Sequence, residues 1–415
     1  MAGFSAETRL VPVSEMHIFG LISGLLVLAF AANRLFRITR IPDLVVLLVV
    51  GLILGPVLKW INPDQFRTFT QLLGSLALIL ILFEGGMELN LREGLRHFPG
   101  GVLLAFWGYG LAFGAVAATA HWSLLLPWRS ALLLGGVFGC TSSTVIMPVL
   151  QQLKTKEAVR VTLLLESALG DVIGVLAVAS LMNTEAQGAR LSGFLSGFAR
   201  DAGIALAVGI AAGFLWWWLW PRIASQKFSN TVAFGVVLGT YAATHALGGS
   251  GLLAVLAFGL ILGNLPTRGE SPKQQIEFLT FHSEMSFLVR SFFFVLLGII
   301  VEFAGKRYIL PILAILGAML ISRFLAVQLS RVALRGISRE ERELVFLMMP
   351  RGLITAVLAV QVVENKGSEF AFLPAIAFSA ILATNVLLVV GTIRATRQGA
   401  AKEEVIEDPA QEGAA

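Results

Sequence analysis

Between Arg160 and Asn183 the chain runs apolar for 22 residues, interrupted only by Glu166 and Asp171. About 20 apolar residues cross a bilayer as one helix, so this stretch reads as a membrane span that carries two ionisable groups. A carboxylate at mid-membrane costs about 2.5 to 3.5 kcal/mol on insertion scales, so it normally faces a partner or a watery cavity and marks an ion or proton path. Five residues at about 100° each set the two carboxylates about 140° apart around the helix. They are therefore expected to face different neighbours and do different jobs.

The rest of the chain is equally apolar, with 56% hydrophobic and 14% charged residues and a mean hydropathy of +0.82. Soluble domains do not reach these values, and the short alternating segments of a membrane barrel are absent. The expected fold class is an all-α polytopic membrane protein with about 13 transmembrane helices, at 16–33, 42–61, 71–89, 100–120, 130–150, 159–182, 202–220, 230–247, 251–265, 282–303, 308–332, 342–363 and 370–392. With the N-terminus outside, 19 of the 31 Lys and Arg residues fall on the inner side and 9 on the outer, while Arg290, Arg323 and Arg351 fall within spans. That bias predicts a cytoplasmic C-terminus, with Arg34, Arg37, Arg40, Lys154, Lys156 and Arg160 as inner anchors. The net charge of +5 is thereby explained as topology and implies no nucleic-acid partner. Trp216, Trp217, Trp218 and Trp220 fit an interfacial belt. Cys140 is the lone cysteine, which excludes an intrachain disulfide. The first span lacks the pattern of a cleaved leader and is expected to be retained. Residues 393–415, with Glu403, Glu404, Glu407 and Asp408, read as a disordered cytoplasmic tail.

The string GLILG occurs at Gly51–Gly55 and again at Gly259–Gly263, an offset of 208, and Gly86 corresponds to Gly298 at an offset of 212. The second span thus maps to the ninth and the third to the tenth. Seven helices separate the copies, and an odd number reverses their orientation, which gives the inverted repeat of a secondary transporter. A generic small-residue helix contact is the competing explanation. By the same offset the fifth span matches the twelfth, and both hold helix breakers: Gly139-Cys140-Thr141-Ser142-Ser143-Thr144 with Pro148, and Pro350-Arg351-Gly352. Paired interrupted helices are tolerated in a membrane only where they line a cavity or are buried in protein. Thr141, Ser142 and Ser143 would offer oxygen ligands to a hard cation, and Arg351 is placed to balance the partial charge of a half-helix end. Glu84 and Glu88 suit a vestibule or a packing role, Arg290 is expected to snorkel or pair with Glu284, and His245 and His282 are candidate pH sensors.

Five motifs, LFEGGMEL (82–89), TSSTVIMPVL (141–150), ESALGD (166–171), ISRFLAV (321–327) and PRGLITA (350–356), together resemble the monovalent cation/proton antiporter superfamily, in its sodium/proton exchanger branch with Kef-like features. The resemblance covers nearly all of residues 16–392. It implies a core ion-transport domain of 100–182 and 308–392, dimerisation or scaffold helices at 16–89 and 230–303, a linker helix at 202–220, and a homodimer whose core moves like an elevator. It further implies that Asp171 binds the transported monovalent cation or a proton, with Thr141, Ser142 and Ser143 nearby, and that Glu166 and Arg323 form a structural ion pair. Two departures stand out. Gly170 replaces the family's Asn or Asp before the ion-binding Asp, and Thr141-Ser142-Ser143 replaces its Thr-Asp-Pro.

The expected function is therefore secondary antiport of protons against a monovalent cation, with Na+ first and K+ or Li+ as alternatives, by electroneutral alternating access. One buried carboxylate would be neutralised by either ligand in turn, without enzyme chemistry or cofactor. The expected location is a bacterial inner membrane. A passive cation channel or an organic-anion transporter on a related fold remains open at this point. An intramembrane hydrolase using Ser142 or Ser143 with His245 lacks any local pairing of those residues.

Overall fold

In the computed structural model, residues 15–407 are described apart from 40, 61–66, 90, 154, 184–190, 224–225, 227, 266–271, 302–304 and 333–336. Arg40, Lys154 and Asp408 of the expected anchors and tail lie outside this set. Among the described residues fifteen α-helices follow one another: α1 (Glu15–Thr39), α2 (Asp43–Leu52), α3 (Arg67–Glu88), α4 (Leu91–Ser123), α5 (Trp128–Gly139), α6 (Ser143–Gln152), α7 (Glu157–Asn183) and α8 (Leu191–Ile223), then α9 (Ser229–Ala246), α10 (Gly251–Asn264), α11 (Pro272–Ile300), α12 (Ile309–Leu329), α13 (Arg339–Leu347), α14 (Leu353–Lys366) and α15 (Leu373–Glu407). No strand occurs among the described residues. A π-helical turn, Ile53–Val57, extends α2 and contains Pro56, whose missing N–H removes one rung of the α ladder.

Among the described residues each stretch read as a span overlaps a helix, the fifth and twelfth being split into α5 with α6 and α13 with α14. Among the described residues seven stretches are long and apolar enough to cross a membrane, including Trp128–Gln152, Glu157–Met182 and Lys306–Leu329, and shorter apolar helices include Asp43–Val57 and Gly251–Asn264. The chain is an integral membrane protein. Its last helix continues past Thr392 to Glu407, beyond the boundary drawn from hydropathy.

The repeated glycines sit at two equivalent helix contacts. A Cβ on Gly51 would strike the Val295 carbonyl and come within 2.9 Å of the Gly298 Cα, so α2 and α11 touch backbone to backbone. A Cβ on Gly86 would come within 2.5 Å of the Leu256 carbonyl and 3.2 Å of Gly259, so α3 and α10 do the same. In both pairs contact partners advance together by four residues, Gly51 with Val295 and Gly55 with Ile299, then Phe83 with Gly259 and Met87 with Gly263. Each pair therefore runs parallel. Exchanging the second span with the ninth and the third with the tenth turns one contact into the other, as a two-fold repeat requires. The small-residue explanation and the repeat are the same fact, since small residues are what let these backbones meet.

Helix α4 packs on α5, α7 and α12, and α14 on α15, whereas α10 packs on α3 and α8, and α11 on α2 and α3. The tryptophan belt needs correction. Trp216 and Trp220, one turn apart on α8, are buried, and Trp220 meets Phe278 of α11 edge-on. The outward-facing Trp218, under the Arg222 guanidinium at 4.4 Å, suits an interfacial role.

Candidate ion-binding site

The two interrupted helices cross at their breaks. Helix α5 stops at Gly139, where the Tyr109 ring leaves no space for a side chain: a Cβ would lie 2.6 Å from Cε2. Cys140 and Ser142 then take extended backbone before α6 begins at Ser143. On the other strand of the crossing, Pro350 can neither donate an N–H nor follow a helical residue easily, and α14 restarts only at Leu353. The Ser142 N–H donates to the Pro350 carbonyl at 2.8 Å, which ties one break to the other. Gly352 faces Ser142 so closely that a Cβ there would lie 2.7 Å from the Ser142 Cβ.

Each break leaves the carbonyls at the C-terminal end of a half-helix without helical partners, and an arginine meets each set. The Arg351 guanidinium, 2% exposed, donates through Nη1 to the Cys140 carbonyl beyond α5. Arg323 on α12 donates through Nη2 to the Val345 and Met348 carbonyls at the end of α13, at 2.7 and 2.9 Å. The same guanidinium grips Glu166 of α7 with both arms, Nη1 to Oε1 and Nη2 to Oε2 at 3.1 Å, and both side chains are almost fully buried. Gly108 of α4 makes room for this pair, since a Cβ there would sit 3.3 Å from Glu166 Oε1.

Asp171 projects from another face of α7, as the 140° separation requires. It is buried, and its Oδ2 accepts from the Ser143 hydroxyl at 2.7 Å and from the Ser143 N–H at 3.5 Å. That N–H opens α6, so the carboxylate sits at the positive end of a half-helix. Oδ1 has no hydrogen-bond partner. Asp171 lines a cavity of about 220 Å3 between α6 and α7 on one side and α3, α10 and α11 on the other, and Ser143, Glu84, Glu88 and Arg290 share its wall.

The three hydroxyls expected as one ligand set are divided among different neighbours. Ser143 alone meets Asp171. Ser142 pairs with the Thr144 hydroxyl at 2.9 Å, and Thr141 lines a separate cleft of about 10 Å3 with Glu166, Arg323 and Arg351. Gly170 faces the first break, and a side chain there would meet Cys140 and Thr141 at an ordinary 3.9 Å. Arg290 pairs with Asp43 of α2 at 3.4 Å instead of Glu284. His245 is exposed, while His282 is buried among Phe83, Phe278 and Phe281 with Nδ1 2.9 Å from the Phe278 carbonyl.

Sequence reasoning missed Thr384 and Asn385. Thr384 accepts the Arg351 N–H at 2.9 Å, and the Asn385 amide donates to the Arg351 carbonyl at 2.9 Å, so α15 clamps the second break from both sides. Their signal was available: a polar pair inside an otherwise apolar span is a functional hint by itself.

Comparison with known proteins fits this geometry. Residues 24–396 match the family model for the transmembrane region of sodium/hydrogen exchangers. The chain belongs to the sodium/hydrogen exchanger family. Within it, the chain is 30% identical over 383 residues to the K(+)/H(+) antiporter NhaP2 of Shewanella sp. (strain ANA-3), covering 89% of this chain and 64% of that protein. It thus spans somewhat under two thirds of the length of that relative. It is also 26% identical over 364 residues to the Na(+)/H(+) antiporter 1 of Methanocaldococcus jannaschii, covering 84% and 83%. The structure of the sodium proton antiporter MjNhaP1 from the same organism at pH 8 superposes with a TM-score of 0.76 at 25% identity, covering 92% of this chain and 97% of that one. An all-helical exchanger fold with two interrupted helices is thereby the architecture of this chain.

Proposed function

We propose that this protein is a secondary antiporter exchanging protons for a monovalent cation across the membrane by alternating access. The observation that carries the reading is Asp171: a buried carboxylate with one oxygen held at the start of α6 and the other facing no donor, on the wall of a cavity of about 220 Å3. A proton or a cation each neutralises it, and only one fits at a time. When neutral the site crosses a low-dielectric barrier cheaply, and when bare and charged it does not. Exchange without leak follows.

Of the two carboxylates buried on α7, Glu166 is already balanced by Arg323 and Asp171 is free to turn over, so the proposed stoichiometry is one proton for one cation, electroneutral. Relatives named for K+ and for Na+ both support the cation class. With Ser142 and Gly170 where the exchangers carry acidic or amide side chains, fewer protein oxygens surround Asp171, which favours the cation that sheds water more easily. We therefore propose that K+ is carried as well as Na+. The same reading takes α4 to α7 and α12 to α15 as the moving core and α1 to α3 and α9 to α11 as the scaffold of a homodimer, joined by α8. It places the N-terminus outside and the C-terminus in the cytoplasm of a bacterial inner membrane. The cavity then opens inward, because α3 and α6 end on its side and α7 begins there.

The test is dequenching of a pH-sensitive dye in proteoliposomes with Na+, K+ and Li+ in turn. Wild type should respond to Na+ and K+ with no dependence on membrane voltage, and Asp171→Asn should fold but not exchange. Exchange by Asp171→Asn near the wild-type rate would remove Asp171 from the mechanism.

A further inference from the structure

The cavity that serves Asp171 has a positive charge on its scaffold wall. Arg290 of α11 contributes to the lining, together with Glu84 and Glu88 of α3. Its Nη2 is 3.4 Å from Asp43 Oδ2, and both side chains are mostly buried, 17% and 15% exposed. Asp43 is fixed independently of Arg290: it opens α2, and its Oδ1 accepts the Leu44 N–H at 2.9 Å, where the helix dipole holds a negative charge. The Arg290 guanidinium lies 6.0 Å from the Phe287 ring, at the outer limit of a cation–π contact. Glu284, the expected partner on the same helix, is exposed. A cation approaching Asp171 thus passes two glutamates and one arginine that repels it, and the repulsion is cancelled only so far as Asp43 stays paired.

We propose that the Asp43–Arg290 pair sets the charge of this cavity and with it the cation concentration at which Asp171 fills. The proposal rests on the antiport reading and assigns the pair a tuning role, since neither residue touches Asp171. Unit charges across a cavity of this size are on the order of 10 Å apart, and in a medium between protein and water each charge change alters occupancy about two- to tenfold. A structural ion pair and a tuning pair then make different predictions. Breaking a structural pair from either side harms stability or turnover in the same direction. Breaking a tuning pair moves KM in opposite directions, down where the arginine is removed and up where the aspartate is removed.

The experiment measures KM and kcat for K+ and Na+ in proteoliposomes for wild type, Arg290→Gln, Asp43→Asn and the double variant, at low and high ionic strength. Arg290→Gln should lower KM about two- to tenfold, Asp43→Asn should raise it by a similar factor, and the double variant should return near wild type, with kcat held and the shifts shrinking as salt screens them. Should a single variant fail to fold, Glu84→Gln removes a carboxylate from the wall of the same cavity and should also raise KM. No cation-driven flux from wild type would sink the antiport reading itself. Flux from wild type, with KM unmoved in every variant or moved the same way in both single variants, would overturn the tuning role and leave that reading standing.

Discussion

The Glu166–Arg323 pair allows a stability prediction with separable parts. In Glu166→Gln the guanidinium keeps the Val345 and Met348 carbonyls but loses its counter-charge, and an uncompensated buried charge costs about 3 to 5 kcal/mol. With side chains 4% and 3% exposed, solvent screening gives no relief. In Arg323→Met the carboxyl can take up a proton, but both carbonyls at the end of α13 lose their donor, and the combined loss is again about 3 to 5 kcal/mol. The double variant Glu166→Leu/Arg323→Met removes both charges and leaves only the carbonyls unpaired, at about 1 to 3 kcal/mol each. It should therefore lose about 2 to 6 kcal/mol, less than the roughly 6 to 10 expected from adding the single losses, yet should stay below wild type. The assay is equilibrium unfolding in mixed micelles, with Asp171→Asn as a folded reference. Additive losses would show that the two side chains do not act as a pair. A double variant as stable as wild type would show that Arg323 serves Glu166 alone and that the α13 carbonyls need no donor.

Gly352→Ala should destabilise and slow exchange, because its methyl meets the Ser142 side chain, and Ser142→Gly added to it should restore both; a second variant no better than the first would mean that the crossing is not the point of conflict. Asn385→Ala should cost about 1 to 2 kcal/mol by leaving the Arg351 carbonyl without its donor and should lower kcat with little change in cation KM, so a selective KM effect would argue for direct ion contact. Outside the membrane, burial pushes the Glu341 carboxyl up, but the Ser338 N–H and Lys156 outweigh it and hold it below its ordinary value. The resulting stability is present above the unfolded-state value and is lost as pH falls through the lower folded-state value. Lys156→Ala should flatten the acid side of a melting-temperature profile against pH, slightly, since Lys156 is 59% exposed.

The features legible in the sequence were those with a period or a chemical contradiction. Hydropathy located the helices, and the repeated glycines fixed the inverted relation because backbone contact tolerates no other residue at Gly51 or Gly259. The breaks at Thr141-Ser142-Ser143 and Pro350-Arg351-Gly352 declared themselves by composition. What the sequence could not give was which hydroxyl faces which carboxylate, because extended backbone between half-helices has no fixed angular period; Thr141 and Ser143, two residues apart, end on opposite sides of the crossing. Arg290 illustrates the same limit. Its pairing with Asp43 crosses 247 positions of sequence, and the parallel contact of α2 with α11 that creates it becomes visible only once those glycines are seen in register.

The repeat also explains why one acid stands where it does. Asp171 lies on α7, which follows the first break, and Thr384 and Asn385 lie on α15, which follows the second, at offsets of 213 and 214, close to those of the glycine pairs. Both positions hold the backbone of their break: Asp171 through the Ser143 N–H, Thr384 and Asn385 through the N–H and carbonyl of Arg351. In the second half the clamp is neutral and uses atoms on both sides of Arg351, so it can hold without any ligand. In the first half the clamp is a carboxylate with one oxygen engaged and one without a donor. The charge stands in only one half, so the hold on the first break runs through an ionisable side chain and the hold on the second does not.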